Sequence, residues 1–388
     1  MAGLIIKPRS RIFHGHEWVY ASEIQKTLGD PQAGDLIQLK DFRDRPLGTA
    51  IFNPNSQVVA RRISRRKQKL DLEFFERRAQ QAIELRQRHS KSIDLNICRL
   101  IDAESDGLPG LIVDCYNEHL VLQLLTPAMV MQRDLIVAAL LKLLSPRSIV
   151  LRNDSPLLVD EGVEPEITVL HGQLTEPFQL NLNGLLVEID VFNQQSPLLP
   201  VDRIHTSKDL APLMKDKRVL EVFCGHGVLS LSSAVAGAIQ VTAVDASIDA
   251  INAVTRNAEL NDVKVDALRH NPFDFLKHHD EKYDSIILNP SFLIKNKKTL
   301  NEALRNYREL HQRCLQLLNR DGVLSTFCDS HHISRDAFLH NVVQASVDAK
   351  CSLRLLRSYH QNLDHPVLPS IPETDHFKGF SFELAPSR

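Results

Sequence analysis

From about residue 193 onward, short apolar runs alternate with longer stretches whose apolar residues recur every three or four positions. The runs fall near 218–223, 240–244, 264–268, 284–288, 322–327, 353–358 and 377–383, and they predict strands with helices between them. That alternation is the pattern of a parallel sheet covered on both faces, whose ligands bind at the carboxyl ends of strands. The first 66 residues or so read differently. Leu4–Ile6, Leu36–Leu39, Gly48–Phe52 and Val58–Ile63 predict strands, punctuated by Gly29-Asp30-Pro31, Ala33-Gly34-Asp35 and Asn53-Pro54-Asn55. A helix is expected over Asp71–Gln87, where Leu72, Phe75, Ala79 and Ile83 share one face. Strands at Cys98–Ile101, Leu111–Val113, Leu120–Leu124 and Ile149–Arg152 surround a second helix over Met129–Leu144. Residues 166–171 and 185–191 read as a hairpin leading into the last region.

Composition narrows the class. The chain has 388 residues, enough for two or three domains. Its 43% hydrophobic and 24% charged content fits a globular protein. The formal net charge of -2 does not by itself mark a nucleic-acid binder, but the distribution is uneven. Arg61, Arg62, Arg65, Arg66, Lys67 and Lys69 cluster within nine positions, and Lys7, Arg9 and Arg11 precede the one tryptophan, Trp18. Cations beside an aromatic suit an RNA surface; a solvated charge run ahead of a helix is the competing reading. The six cysteines show no CxxC, which argues against a zinc site or a disulfide framework and for a reducing compartment. No signal segment and no run of about 18 apolar residues is present, so a cytoplasmic protein without membrane contact is expected.

Candidate chemistry sits at the predicted strand ends. In Val219–Asp245 an apolar run meets a glycine turn, Gly225 and Gly227, then a helix and a second run ending in Asp245. The glycines allow a tight turn and close approach of a ligand, and Asp245 is placed to accept from ribose hydroxyls. Glu221 ahead of the turn, without a GxGxxG spacing, suits S-adenosylmethionine better than NAD. Asn289-Pro290-Ser291-Phe292 follows the fourth strand and resembles in part the [DN]PP[FYW] loop of enzymes that methylate planar nitrogen. Phe292 is positioned to stack on an extruded base. Cys328 ends the next strand, where a thiolate can add to carbon 6 of a pyrimidine, with Asp329 beside it as a base. The alternative for Cys328 is a small buried hydrophobe. Glu104 and Asp106 read either as a carboxylate pair or, more simply, as turn chemistry. His331 and His332, expected to point apart, suggest no metal.

Taken together these residues resemble the RlmI-like family of S-adenosylmethionine-dependent ribosomal RNA methyltransferases along essentially the whole chain. Trp18-Val19-Tyr20, Gly34-Asp35 and Phe52–Ser56 resemble its PUA domain, and Glu104–Leu111 resembles the marker of its central domain. Asp245-Ala246-Ser247, Ala250, Asn257, Leu260-Asn261 and Lys378-Gly379-Phe380 match its catalytic domain. The resemblance implies an α/β chain in three parts. These are a small β-barrel PUA domain over 1–68, an α+β central domain over 69–192, and a class I methyltransferase (Rossmann-like) domain over 193–388. It implies S-adenosylmethionine held by Phe223, Gly225, Gly227, Asp245, Asn271, Phe273, Asn289 and Pro290. Large-subunit ribosomal RNA is the implied partner, bound through Lys7, Arg9, Arg11, Trp18, Arg61 and Arg62, with a homodimer as a further expectation. Methylation of cytosine at carbon 5 is implied, with Cys328 as nucleophile and Asp329 and Asn289 assisting. The departures fall on the chemistry. Asn289 stands for an aspartate, Ser291 for a proline, Asn271 for an acid, and Cys328 lies one residue early in Cys328-Asp329-Ser330. Nitrogen methylation through the Asn289–Phe292 loop therefore stays open. So does an RNA-binding protein that keeps the donor pocket without catalysis, and a nicotinamide-dependent oxidoreductase is the distant alternative.

Overall fold

The computed structural model describes residues 2–155, 158–174, 177–182, 184–193, 199–290 and 299–386. The chain forms two compact units: Met1–Glu176 with Leu363–Thr374, and Pro177–Asn362 with Asp375–Arg388.

The first unit holds two sheets. Six strands, β1 (Gly3–Ile6), β2 (Trp18–Tyr20), β3 (Ile24–Leu28), β4 (Leu36–Asp41), β5 (Pro46–Phe52) and β6 (Val58–Ser64), pair in the order β2-β6-β5-β4-β1-β3. Alternation along β4 puts Ile37 and Leu39 inside with Leu4, Ile6 and Val19. Helix α1 (Leu72–Arg88) starts where the Asp71 carboxylate accepts from the Phe74 amide, 3.0 Å away. It buries Phe74, Phe75, Ala79, Ala82 and Ile83 against β7 (Ile97–Asp102), β8 (Leu111–Tyr116), β9 (His119–Leu124) and β10 (Ser148–Asn153). The expected helix over Met129–Leu144 is broken at Gln132 into α2 (Pro127–Met131) and α3 (Arg133–Leu144). A short α4 (Leu158–Glu161) follows.

The expected hairpin between 166–171 and 185–191 is not formed. Strand β11 (Glu166–Gly172) pairs antiparallel with β10, whereas β13 (Leu185–Ile189) pairs with β12 (Phe178–Leu182). The tight turn at Asn181–Gly184, with the Gly184 amide donating to Asn181 Oδ1, gives β13 a nearer partner than β11.

The second unit is organised by a seven-stranded sheet. Its strands are β14 (Arg218–Val222), β15 (Gln240–Asp245), β16 (Asp266–Arg269), β17 (Tyr283–Leu288), β18 (Leu318–Cys328), β19 (Ser352–His360) and β20 (Lys378–Ala385). Their order is β16-β15-β14-β17-β18-β20-β19, with β20 antiparallel to both neighbours. The order reverses between β14 and β17, so the crevice for a ligand opens at the carboxyl end of β14. Helices α5 (Val201–Leu210), α6 (Val228–Val235), α7 (Ile248–Leu260), α8 (Pro272–His278), α9 (Leu300–Leu317) and α10 (Arg335–Asp348) cover the sheet. Asn257 and Asn261 stitch the hairpin to α7: Asn257 Oδ1 accepts from the Glu188 amide, and Asn261 bonds both amide and carbonyl of Leu186.

Leu363–Thr374 belongs to the first unit. The buried guanidinium of Arg86 donates to the Asp364 carbonyl (2.7 Å), the Arg99 carbonyl (2.8 Å) and Asp106 Oδ1 (2.7 Å). Ser105 Oγ donates to the Pro366 carbonyl. Asp106 is therefore a structural carboxylate that neutralises a buried cation, and removing it strands that charge. Asp106→Ala is expected to destabilise the first unit by about 3–5 kcal/mol, read as a lower urea midpoint.

Candidate active site

The loop after β14 is built by steric necessity. Phe223 takes a left-handed φ of 64°, and Gly225 and Gly227 have φ of 52° and 74°. A Cβ on Gly227 would lie 2.6 Å from Val254 Cγ2 of α7, so only glycine fits the start of α6 there. A Cβ on Gly225 would meet nothing within 4 Å, so open space lies above that residue. Two carboxylates fix the loop. Glu221, fully buried and the last residue but one of β14, accepts from the amide (2.8 Å) and hydroxyl of Ser230 in the first turn of α6. Asp245 accepts from the Gly225 amide (3.1 Å) through one oxygen and the Ser247 amide (2.9 Å) through the other. A carboxylate has about four acceptor positions, so these two bonds leave each oxygen able to accept from a ligand.

The remaining strand ends complete one rim. Asn271 caps α8, its side-chain carbonyl accepting from the Phe273 (2.9 Å) and Asp274 (3.3 Å) amides. The substitution of asparagine for an acid thus keeps the cap. The ring of Phe273 meets that of Phe223 edge to face, centroids 6.0 Å apart. Asn289 is half-buried, its amide donating to the Val222 carbonyl, and Pro290 is buried. This geometry fits the donor expected from the sequence. Ligand hydroxyls have acceptors at Asp245, and a planar ring has Phe223 and Phe273 to lie against. Ser291 and Phe292 lie outside the described residues.

Cys328 is fully buried, packed with Tyr307 of α9, Phe338 and Val342 of α10, Ile333, Phe380 and Phe382. Burial pushes its thiol up; hydrogen bonds from the Ser330 amide and the Tyr307 hydroxyl, and the Lys378 cation, act against that rise. Tyr307 has no local sequence signal; the packing of α9, the helix before β18, brings it to Cys328. Lys378 pairs in register with Cys328 and donates to the Ser330 (2.6 Å) and Ile333 (2.8 Å) carbonyls, so it pins the turn after β18. Gly379 is small because a Cβ there would come within 2.3 Å of the Phe327 ring. Asp329 is half-buried in the same turn. His331 and His332 do not point apart: the turn folds their rings to 3.9 Å. Among the described residues no group of three or more potential ligands could hold a metal.

In the first unit, Lys7, Arg9 and Arg11 are exposed. Lys7 donates to the Ser22 carbonyl, and Arg11 lies 4.4 Å over the Tyr20 ring. Arg61 and Arg62 are drawn inward, Arg61 to Glu161 (2.6 Å) and Arg62 to Glu17. Trp18 Nε1 donates to Glu104 (3.1 Å), and Arg61 lies 3.5 Å from the same carboxylate. Glu104 is a brace rather than half of a carboxylate pair; burial raises its pKa against those two partners.

Comparison with known proteins agrees with this division. Residues 6–65 match a PUA-like domain, and residues 205–351 a methyltransferase small domain. Over 372 residues the chain is 33% identical to ribosomal RNA large subunit methyltransferase I of Pseudoalteromonas translucida, covering 94% of each chain. It is 32% identical, again over 94% of each, to the protein of that name from Enterobacter sp.. Among solved structures, the SMU.776 protein complexed with SAH superposes with a TM-score of 0.85 at 20% identity, covering 99% of this chain and 100% of that one. A Streptococcus mutans protein described as SAM-dependent gives 0.84 at 20% identity with the same coverage. Those likenesses show the fold. The burial of Cys328 gives a direct check: under iodoacetamide near neutral pH, half-exposed Cys351 is expected to be alkylated well before Cys328, by peptide mass spectrometry.

Proposed function

Because the chain belongs to the ribosomal RNA large subunit methyltransferase I family, we propose that it transfers a methyl group from S-adenosylmethionine to a base of large-subunit ribosomal RNA, at carbon 5 of a cytosine. The observation that carries the donor half is the Asp245 carboxylate, locked by the Gly225 and Ser247 amides beside the open space over Gly225. The donor supplies an electrophilic methyl. The chain supplies the rest. Asp245 would accept from the ribose hydroxyls, and Phe223, Phe273 and Asn271 would hold the adenine. Asn289 and Pro290 form the lip toward the base. In the first unit, Lys7, Arg9, Arg11 and Trp18 meet the RNA, with Arg61 and Arg62 bracing that surface. A ribosomal RNA substrate puts the site of action in the cytoplasm.

For carbon-5 chemistry, the Cys328 thiolate adds to carbon 6 of the cytosine, carbon 5 takes the methyl, and Asp329 accepts the carbon-5 proton as the Cys328–carbon bond breaks. Support comes from its place at the end of β18 and from the Lys378 cation, which favours the thiolate. The dense apolar packing around Cys328 favours a second reading, methylation of a base nitrogen at Asn289 without a cysteine adduct.

One measurement tests the donor site and a second separates the two readings. Asp245→Ala is expected to weaken donor binding about 10–100-fold by calorimetry, the loss of one or two charge-assisted hydrogen bonds. Wild-type protein is expected to trap 5-fluorocytosine RNA covalently and Cys328→Ala to lose both adduct and activity. An active Cys328→Ala that fails on Asn289→Ala transfers the assignment to nitrogen.

A further inference from the structure

A cleft of about 480 Å³ opens within the first unit, between β6, the flank of α1 that runs from Arg78 to Arg88, and the Glu104–Pro109 loop. Its volume lies within the roughly 300–1,000 Å³ of small-ligand sites. One wall is a helical stripe of α1, Arg78, Ala82, Leu85 and Arg88, at the spacing that shares a helix face. The carboxylates around the cleft are already engaged: Glu17 by Arg62 and Arg65, Glu104 by Arg61 and Trp18, and Asp106 by Arg86. Among the described residues neither Arg78 nor Arg88 is in ion-pair contact with a carboxylate, and Glu17 acts on Arg78 only through its charge from farther off. Arg78 Nη2 donates to the Ile63 carbonyl (3.1 Å), and its buried Nε has no hydrogen-bond partner. Gly107 makes the room: a Cβ there would sit 2.9 Å from Arg78 Nη1.

Such a wall, cationic at both ends and apolar between, fits phosphate, base, phosphate. The two arginines are ten residues apart, about 15 Å along a helix at ~1.5 Å per residue. That is too far for one phosphate group to meet both, so a free mononucleotide satisfies one end alone. Beyond the rim, exposed Arg65, Arg66 and Lys67 continue the positive charge. We propose that this cleft is a binding site for single-stranded RNA, with Arg78 and Arg88 holding backbone phosphates that are not adjacent in the strand and Leu85 underlying a base between them. The proposal rests on the reading that the substrate is RNA, and gives the marker loop around Gly107 a role as the cleft's wall.

The test is fluorescence anisotropy with the full chain and a short labelled single-stranded RNA at several salt concentrations. Arg78→Ala/Arg88→Ala is expected to bind about tenfold more weakly, with the slope of log K against log salt shallower by ~0.7 per lost phosphate contact. Arg88→Glu alone, at an exposed position, is expected to shift both in the same direction without a change in thermal midpoint. Unchanged affinity and slope in both variants overturn the proposal. So does AMP binding that RNA does not displace, which makes the cleft a small-molecule site. Donor binding by calorimetry is expected to stay at the wild-type value in each variant. Arginine-dependent RNA binding with no methyl transfer by the wild type would count against the proposed reaction and leave the cleft standing.

Discussion

The second unit depends on one buried carboxylate. Glu221, the last residue but one of β14, is fully buried, where an ionised group is costly unless hydrogen-bonded. Its bonds to the Ser230 amide and hydroxyl place it on the first turn of α6, where the helix dipole favours negative charge. Strand end and helix start are thereby held at one fixed separation, and the five residues between them must close it. That closure forces positive φ at Phe223, Gly225 and Gly227. The amide of Gly225 then meets Asp245, and the second strand is coupled to the first at its tip.

The same logic, a buried charge organising a loop, recurs twice. Lys378 holds the turn after β18 through two carbonyls, and Arg86 holds the Glu104–Pro109 loop through Asp106 and two carbonyls. Each is a single side chain with several fixed partners, so each defines a loop more sharply than apolar packing would.

The parallel centre of the sheet, β14, β15, β17 and β18, was legible because those strands are buried on both faces and read as apolar runs; the antiparallel β20 was not, since an apolar run carries no direction. The helix after Asp71 and the tight glycine turn at Gly225 and Gly227 were legible because their signals are local. β2 and β3 were not predicted: one is three residues long, and the other, Ile24–Leu28, is exposed along its middle. The partner of β13 was misread because alternation identifies a strand but not its neighbour. The surroundings of Cys328 come from single residues of α9, α10 and β20 that only the packing of those elements on β18 brings together, so nothing in Cys328-Asp329-Ser330 itself announced Tyr307 or the apolar cluster. Likewise the pairing of Arg61 with Glu161 spans 100 positions and turns a surface cation inward.

The first unit is completed by Leu363–Thr374, and that has a consequence for biosynthesis. A chain emerging from the ribosome at about 5–20 residues per second folds domain by domain where it can, N-terminal part first. Here the Arg86 guanidinium waits for the Asp364 carbonyl, nearly 280 positions later. Until then it is a cation partly unsatisfied in an apolar core. The first unit therefore reaches its final structure only after most of the second has been translated, and nascent chains stalled before residue 363 should expose an unfinished, protease-sensitive N-terminal half.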